Sequence, residues 1–114
     1  MRDTLFIIAA PFTDSELQGT WFCRDCATME GALLANPAWA ARIDVQRLPY
    51  PRPRHLVIEL IGEENQGLPA LVLADAAKAP AEAKRSANGR AFLTDPKGIT
   101  RYLAAAYGGA GPHP

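Results

Sequence analysis

Cys23 and Cys26 stand two residues apart in Trp21-Phe22-Cys23-Arg24-Asp25-Cys26, and they are the only cysteines in the chain. A C-x-x-C spacing lets two sulfurs meet across one turn and close a small disulfide ring. The same pair could equally supply half of a four-ligand metal site. Arg24 to Ala35 is dominated by strong helix formers, so the pair opens a helix. A thiol at a helix N-terminus faces free backbone N–H groups and the positive end of the dipole, which favour thiolate over thiol. Cys23, the earlier and by position the more exposed, is assigned as the attacking nucleophile. Cys26 is assigned as the buried resolving thiol. Arg24 favours a Cys23 thiolate and Asp25 opposes it. Three readings stay open: dithiol redox chemistry, unreactive thiols in a binding module, and a dimer sharing two such pairs around a metal. His55 and His113 are the only histidines, and no zinc spacing is met, so no metal ligands are assigned.

The surrounding sequence has to position this pair. Thr4 to Ala9 is a short apolar run with a β-branched centre, stopped by Pro11, and reads as a buried strand. Pro11 to Thr20 is mostly polar and is expected to be a loop. In the helix Arg24 to Ala35, Met29, Leu33 and Leu34 are expected to face the core. Asn36-Pro37 caps and opens a second short turn through Arg42. Ile43 to Leu48 is the next strand. Pro53 opens a helix with an apolar stripe of Val57, Leu60 and Ile61, ending before Asn65 and Gly67. Ala70 to Leu73 is a third buried strand. Ala74 to Asn88 has no clear period and reads as a loop. Asn88-Gly89 marks a turn before a fourth strand, Arg90 to Leu93. Thr94-Asp95-Pro96 starts a last helix with Ile99, Tyr102 and Leu103 on its apolar face.

The order β-α-β-α-β-β-α predicts an α/β fold with a four-stranded mixed sheet and helices on both faces. The first crossover makes its strands parallel, and the last two strands form an antiparallel pair. Residues 1–107 form one domain, and 108–114 are expected to be a flexible tail.

The whole-chain arithmetic narrows the function. With 114 residues, one core is large enough to hold the fold without staples. Twelve Lys and Arg against twelve Asp and Glu leave no net charge, so neither nucleic acid nor an anionic membrane surface is expected as a partner. No apolar run approaches the length of a membrane span. The run Leu5 to Ala10 is broken by Pro11, Thr13, Asp14 and Glu16 and lacks a cleavage region, so a cytoplasmic protein is expected.

The element order with C-x-x-C at the first helix resembles the thioredoxin-like superfamily, in its glutaredoxin and glutathione-transferase N-domain branch. Three places carry the resemblance: Cys23 to Cys26; Leu68-Pro69 ahead of the strand Ala70 to Leu73; and Ala91 to Ala104, similar to the strand, turn and helix that end a transferase N-domain. Pro51 to Arg54, Gly62 to Pro69 and Ser86 to Arg90 resemble more closely a bacterial family of small thioredoxin-like proteins catalogued as a domain of unknown function. The resemblance implies a cis Pro69 that presents the Leu68 backbone to an extended thiol peptide beside Cys23. It also implies that Asp95 helps to hold that peptide. The expected partner is a thiol or disulfide, either glutathione as a thiol co-substrate or a protein disulfide. No other cofactor is implied, and monomer and homodimer stay open.

Further residues are weighed around the pair. Arg52, Arg54 and His55 either hold a substrate carboxylate through a forked hydrogen bond or form a solvated turn; the solvated turn is favoured. Trp21 is either a rim of the site or core, and Phe22 is expected in the core. Several features depart from the resemblance. No proline lies inside the C-x-x-C, Pro11 to Phe22 is long, Ala74 to Asn88 is inserted, and Pro96 replaces the serine of the transferase pattern. The all-helical second domain of a transferase is absent, so a conjugating transferase is not expected. A binding module that kept the fold without turnover is the alternative these departures favour.

Overall fold

Thr4-Leu5-Phe6-Ile7-Ile8 is buried along its whole length and forms the central strand β1 (Thr4–Ile8). Side chains alternate across a strand, and the alternation sorts the core into two layers. Leu5 and Ile7 share one layer with Leu71, Leu73, Ala91 and Leu93, while Phe6, Val72 and Phe92 share the other. The computed structural model describes residues 1–114 and has a mixed α/β architecture. A five-stranded mixed sheet runs in the order β4 (Asp44–Leu48), β1, β5 (Ala70–Val72), β7 (Ala91–Leu93), β6 (Lys84–Arg85). β1 pairs with β4 in parallel, and the pairs β1·β5, β5·β7 and β6·β7 are antiparallel.

Helices α1 (Arg24–Ala35), α2 (Pro37–Arg42) and α4 (Pro96–Tyr107) place Met29, Leu33, Trp39, Ile99 and Leu103 in the first layer. Helix α3 (His55–Ile61) covers the opposite face with Val57 and Ile61. On α1, Leu34 departs from the expectation: it is 84% exposed. Met29 and Leu33 are four apart and share a face, whereas Leu34 lies a further 100° around the helix. No helix is long and apolar enough to cross a membrane.

Two segments expected to be loops carry strands. Within Pro11 to Phe22, β2 (Phe12–Asp14) and β3 (Leu17–Trp21) pair antiparallel as a separate ribbon. Every residue of β3 is exposed, so no buried face imposed an alternating pattern on its sequence. The sheet gains a fifth strand because Lys84 and Arg85 pair with Phe92 and Ala91 at its edge. Its turn is the expected Asn88-Gly89, with Gly89 at φ 85°.

At the start of the segment expected to fray, two carbonyls and one N–H are held. Asn36 donates to the Ala110 carbonyl at 3.1 Å and accepts its N–H at 2.7 Å, and Trp39 Nε1 donates to the Gly108 carbonyl at 2.8 Å. Asp3 closes the other side of α4. Its carboxylate accepts the Ala74 N–H at 2.8 Å and the Tyr107 hydroxyl at 2.6 Å. Burial, then that hydrogen bond and the Asp3 charge, push the Tyr107 phenol up to about 12.

Candidate active site

Helix α1 begins immediately after the ribbon, and Cys23 is its N-cap residue, with extended backbone. The Cys23 sulfur accepts the Cys26 N–H at 3.2 Å. The sequence folds this way because a sulfur takes the place of the oxygen of an ordinary capping side chain, matching one of the free N–H groups of the first turn. Cys23 is half-buried and Cys26 is 2% exposed; both are free thiols. The Cys26 sulfur accepts the N–H of Ile8, at the C-terminal end of β1, at 3.4 Å. The strand and the helix start thus hold one sulfur under the other, with the reachable one outermost.

Burial, then the hydrogen bond to Cys23, push the Cys26 thiol up to about 12; the Ile8 N–H works in the opposite direction, and the Cys23 and Asp25 charges add to the rise. The linkage has a definite sign. The folded value lies above the ordinary value of 9.0, so the folded chain holds this proton more tightly than the unfolded chain. The stabilisation is fully present below pH 9 and is lost as pH rises toward 12. Denaturant titrations from pH 8 upward should show falling stability, with a shallower fall in Cys26→Ala. An equal fall in both chains would assign the alkaline loss to other groups, Tyr107 foremost.

Across from Cys23 lies the segment before β5. The Leu68 carbonyl is 4.0 Å from the Cys23 sulfur, and the Leu68–Pro69 peptide is cis, as the resemblance implies. The peptides Ala10–Pro11 and Arg52–Pro53 are cis as well. Leu68 is half-buried and Pro69 buried. The side chain that holds this segment is Arg54. Its Nη1 donates to the Gln66 carbonyl at 2.7 Å, its Nη2 donates to the Tyr50 carbonyl, and its backbone N–H donates to Gln66 Oε1 at 2.8 Å. Arg54 is only 7% exposed, which overturns the solvated-turn reading for this residue. Its Nε is buried with no hydrogen-bond partner. Burial lowers the Arg54 pKa and Arg52 lowers it further, while Tyr50, Cys26 and Cys23 oppose the fall.

Sequence reasoning missed Gln66 and Tyr50 altogether and placed Arg54 in solvent. Nothing in Pro51-Arg52-Pro53-Arg54 separates the buried arginine from the exposed one; the only available signal was Gln66 standing just ahead of Leu68-Pro69. Removing the guanidinium strips a donor from each of two carbonyls. Arg54→Met should therefore cost about 2–4 kcal/mol in urea unfolding. A loss under about 0.5 kcal/mol would show that Arg54 does not brace the Leu68 segment.

The other expected site residues separate. Arg52 is exposed and lines a cleft of about 710 Å³ with Ile8, Asp14, Glu16, Arg54 and Leu68. Trp21 is 42% exposed at the end of β3, and Phe22 is 62% exposed rather than in the core. Trp21 ends β3 and Phe22 follows it, and neither packs against either core layer. Arg24 is exposed at the first residue of α1. Asp95 is the N-cap of α4, where its Oδ2 accepts the Gly98 N–H at 3.0 Å. On the Pro69 side a second cavity of about 270 Å³ is lined by Glu64, Leu68, Pro69, Lys84 and Thr94, without Asp95. No three His, Cys, Asp or Glu side chains converge to hold a metal ion.

The searches of curated proteins and of solved structures returned no match. A family model does match, over residues 2–111, which takes in both cysteines, the Leu68–Pro69 segment and α4. The chain belongs to the family described as Protein of unknown function (DUF3088).

Proposed function

We propose that this protein is a thiol–disulfide oxidoreductase of thioredoxin-like fold that uses the Cys23–Cys26 dithiol. The observation that carries the reading is the stacking of a half-buried sulfur at the start of α1 over a buried one, facing the Leu68 carbonyl. The order β4-β1-β5-β7, with one parallel and two antiparallel pairings, supports the fold assignment.

In the reductive direction the Cys23 thiolate attacks one sulfur of a disulfide. The S–S bond of the substrate breaks, and the departing thiolate takes a proton. Cys26 then attacks the Cys23 sulfur and breaks the mixed disulfide, and its proton goes to the released sulfur, which leaves as the second thiol. The substrate gains two electrons, and the pair is oxidised to a disulfide. An external thiol, glutathione or a protein dithiol, returns the pair to the reduced state. Burial holds Cys26 protonated until this step. Capture of Cys23 in the mixed disulfide removes the Cys23 charge, one of the causes that hold the Cys26 proton in place. The test is exchange with a small disulfide, followed by the mass of the alkylated chain. Loss of two alkylation sites per turnover supports the reading, and two sites that survive excess disulfide contradict it.

A second reading has its own support. Leu17 and Trp21 on the ribbon, and Phe22 between it and Cys23, are exposed, as in a module that docks on a partner without turnover. Under that reading the cysteines stay reduced in the same experiment.

A further inference from the structure

The cleft beside the cysteines, which do not line it themselves, is lined by charges of both signs. Its volume of about 710 Å³ lies in the range that encloses a small molecule. Two of its lining residues touch the sulfurs: Ile8 donates to Cys26, and the Leu68 carbonyl faces Cys23. Its acidic side is Asp14, the last residue of β2, with Glu16 from the turn that follows, and its basic side is Arg52 and Arg54 from the loop before α3.

The acidic wall is braced. Phe12 stacks on Tyr50 with ring centroids 4.3 Å apart and planes 5° from parallel. The Tyr50 hydroxyl donates to Asp14 Oδ2 at 3.0 Å, and the Glu16 N–H donates to Asp14 Oδ1 at 2.9 Å. The Glu16 carboxylate and the Arg52 guanidinium are exposed, and neither belongs to the two ion pairs of the chain, Arg2–Asp44 and Arg47–Glu30. Arg54 adds a positive charge that is more than nine-tenths buried, with its Nε unmatched.

We infer that this cleft selects small disulfides in which each half carries both an ammonium and a carboxylate, cystine being the simplest. The inference rests on the exchange reaction proposed above and names its substrate class. A carboxylate turned to Arg52 and Arg54 and an ammonium turned to Asp14 and Glu16 satisfy both walls at once. A singly charged molecule satisfies one wall and meets like charge on the other. The chemistry is the exchange already balanced: one cystine gains two electrons and two protons and leaves as two cysteines, and the dithiol becomes a disulfide.

The test gives the reduced protein four disulfides: cystine, cystamine with ammonium groups only, 3,3′-dithiodipropionate with carboxylates only, and neutral bis(2-hydroxyethyl) disulfide. Oxidation of Cys23–Cys26 is read by alkylation and mass. Each rate is divided by that of the same disulfide with free dithiothreitol, which removes intrinsic reactivity. Cystine should exceed the neutral compound about tenfold, and neither singly charged compound should exceed it by more than about twofold. Arg52→Glu should lower the cystine-to-neutral ratio about fivefold and raise that of cystamine. Glu16→Lys should lower the cystine ratio and raise that of dithiodipropionate. Both positions are exposed, so neither change threatens the fold. Four rates within twofold of one another, a singly charged compound ahead of cystine, or ratios that ignore both substitutions would overturn the substrate class and leave the exchange reaction standing. Reaction with none of the four would overturn both.

Discussion

Replacing Cys23 with serine should lower disulfide exchange by about a thousandfold or more, while Cys26→Ser should stop the reaction halfway. The asymmetry follows from where the two sulfurs sit. Cys23 is the half-buried one, and Cys26 is 2% exposed. In Cys23→Ser the only remaining thiol is the buried one, and burial, the foremost cause of its raised pKa, survives the substitution. A substrate reaches that sulfur only past residue 23. In Cys26→Ser the first attack proceeds and nothing resolves it. The chain should therefore gain the mass of one half of the disulfide, on Cys23 and reversibly with dithiothreitol. Full activity in Cys23→Ser would move the nucleophile to Cys26 and reverse the assignment.

The largest loss of stability is expected from Trp39→Ala. Trp39 is 1% exposed and lies in the same core layer as Met29, Leu33, Ile99 and Leu103, so it joins α2 to α1 and α4. Its Nε1 also holds the Gly108 carbonyl that ends α4. Truncating a buried tryptophan costs about 3–5 kcal/mol, from a total that for small domains is about 5–15 kcal/mol. The thermal midpoint should fall by roughly 10–25 °C. Trp39→Phe keeps most of the apolar volume, loses the hydrogen bond, and should cost about half as much. A loss under about 1 kcal/mol in Trp39→Ala, measured by urea unfolding, would contradict the place given to this residue.

What the sequence made legible follows from which signals are local. Helix α1 spans Arg24–Ala35 as expected, because its composition, the capping position of Cys23 and the stop at Asn36-Pro37 lie within the segment. β1, β5 and β7 were legible as apolar runs because both faces of the sheet are covered. The ribbon was not, since β3 buries nothing and its turn, Ser15-Glu16, lacks the glycine or asparagine that marks a tight hairpin. Edge strand β6 is two exposed charged residues that acquire strand geometry only by pairing with β7. Within the site, the cysteines and the Leu68–Pro69 segment were legible from spacing and resemblance. Arg54 was not, because its burial depends on Gln66, which reaches it only after α3 turns the chain back, and on the bend that aims the Tyr50 carbonyl at its guanidinium. Asp95 was read as a ligand-holding acid, yet one of its oxygens is occupied in capping α4. A capping aspartate and a binding aspartate have the same local sequence.

A redox titration of the Cys23–Cys26 pair tests the central claim most directly. The protein is equilibrated across a series of thiol–disulfide buffers, quenched by alkylation and weighed. The proposed oxidoreductase should give a single two-electron transition at about −120 to −270 mV, the span of working dithiol exchangers. A pair that stays reduced across the whole series, and is alkylated at both sulfurs once unfolded, would contradict it and leave the non-catalytic docking module as the reading of this site.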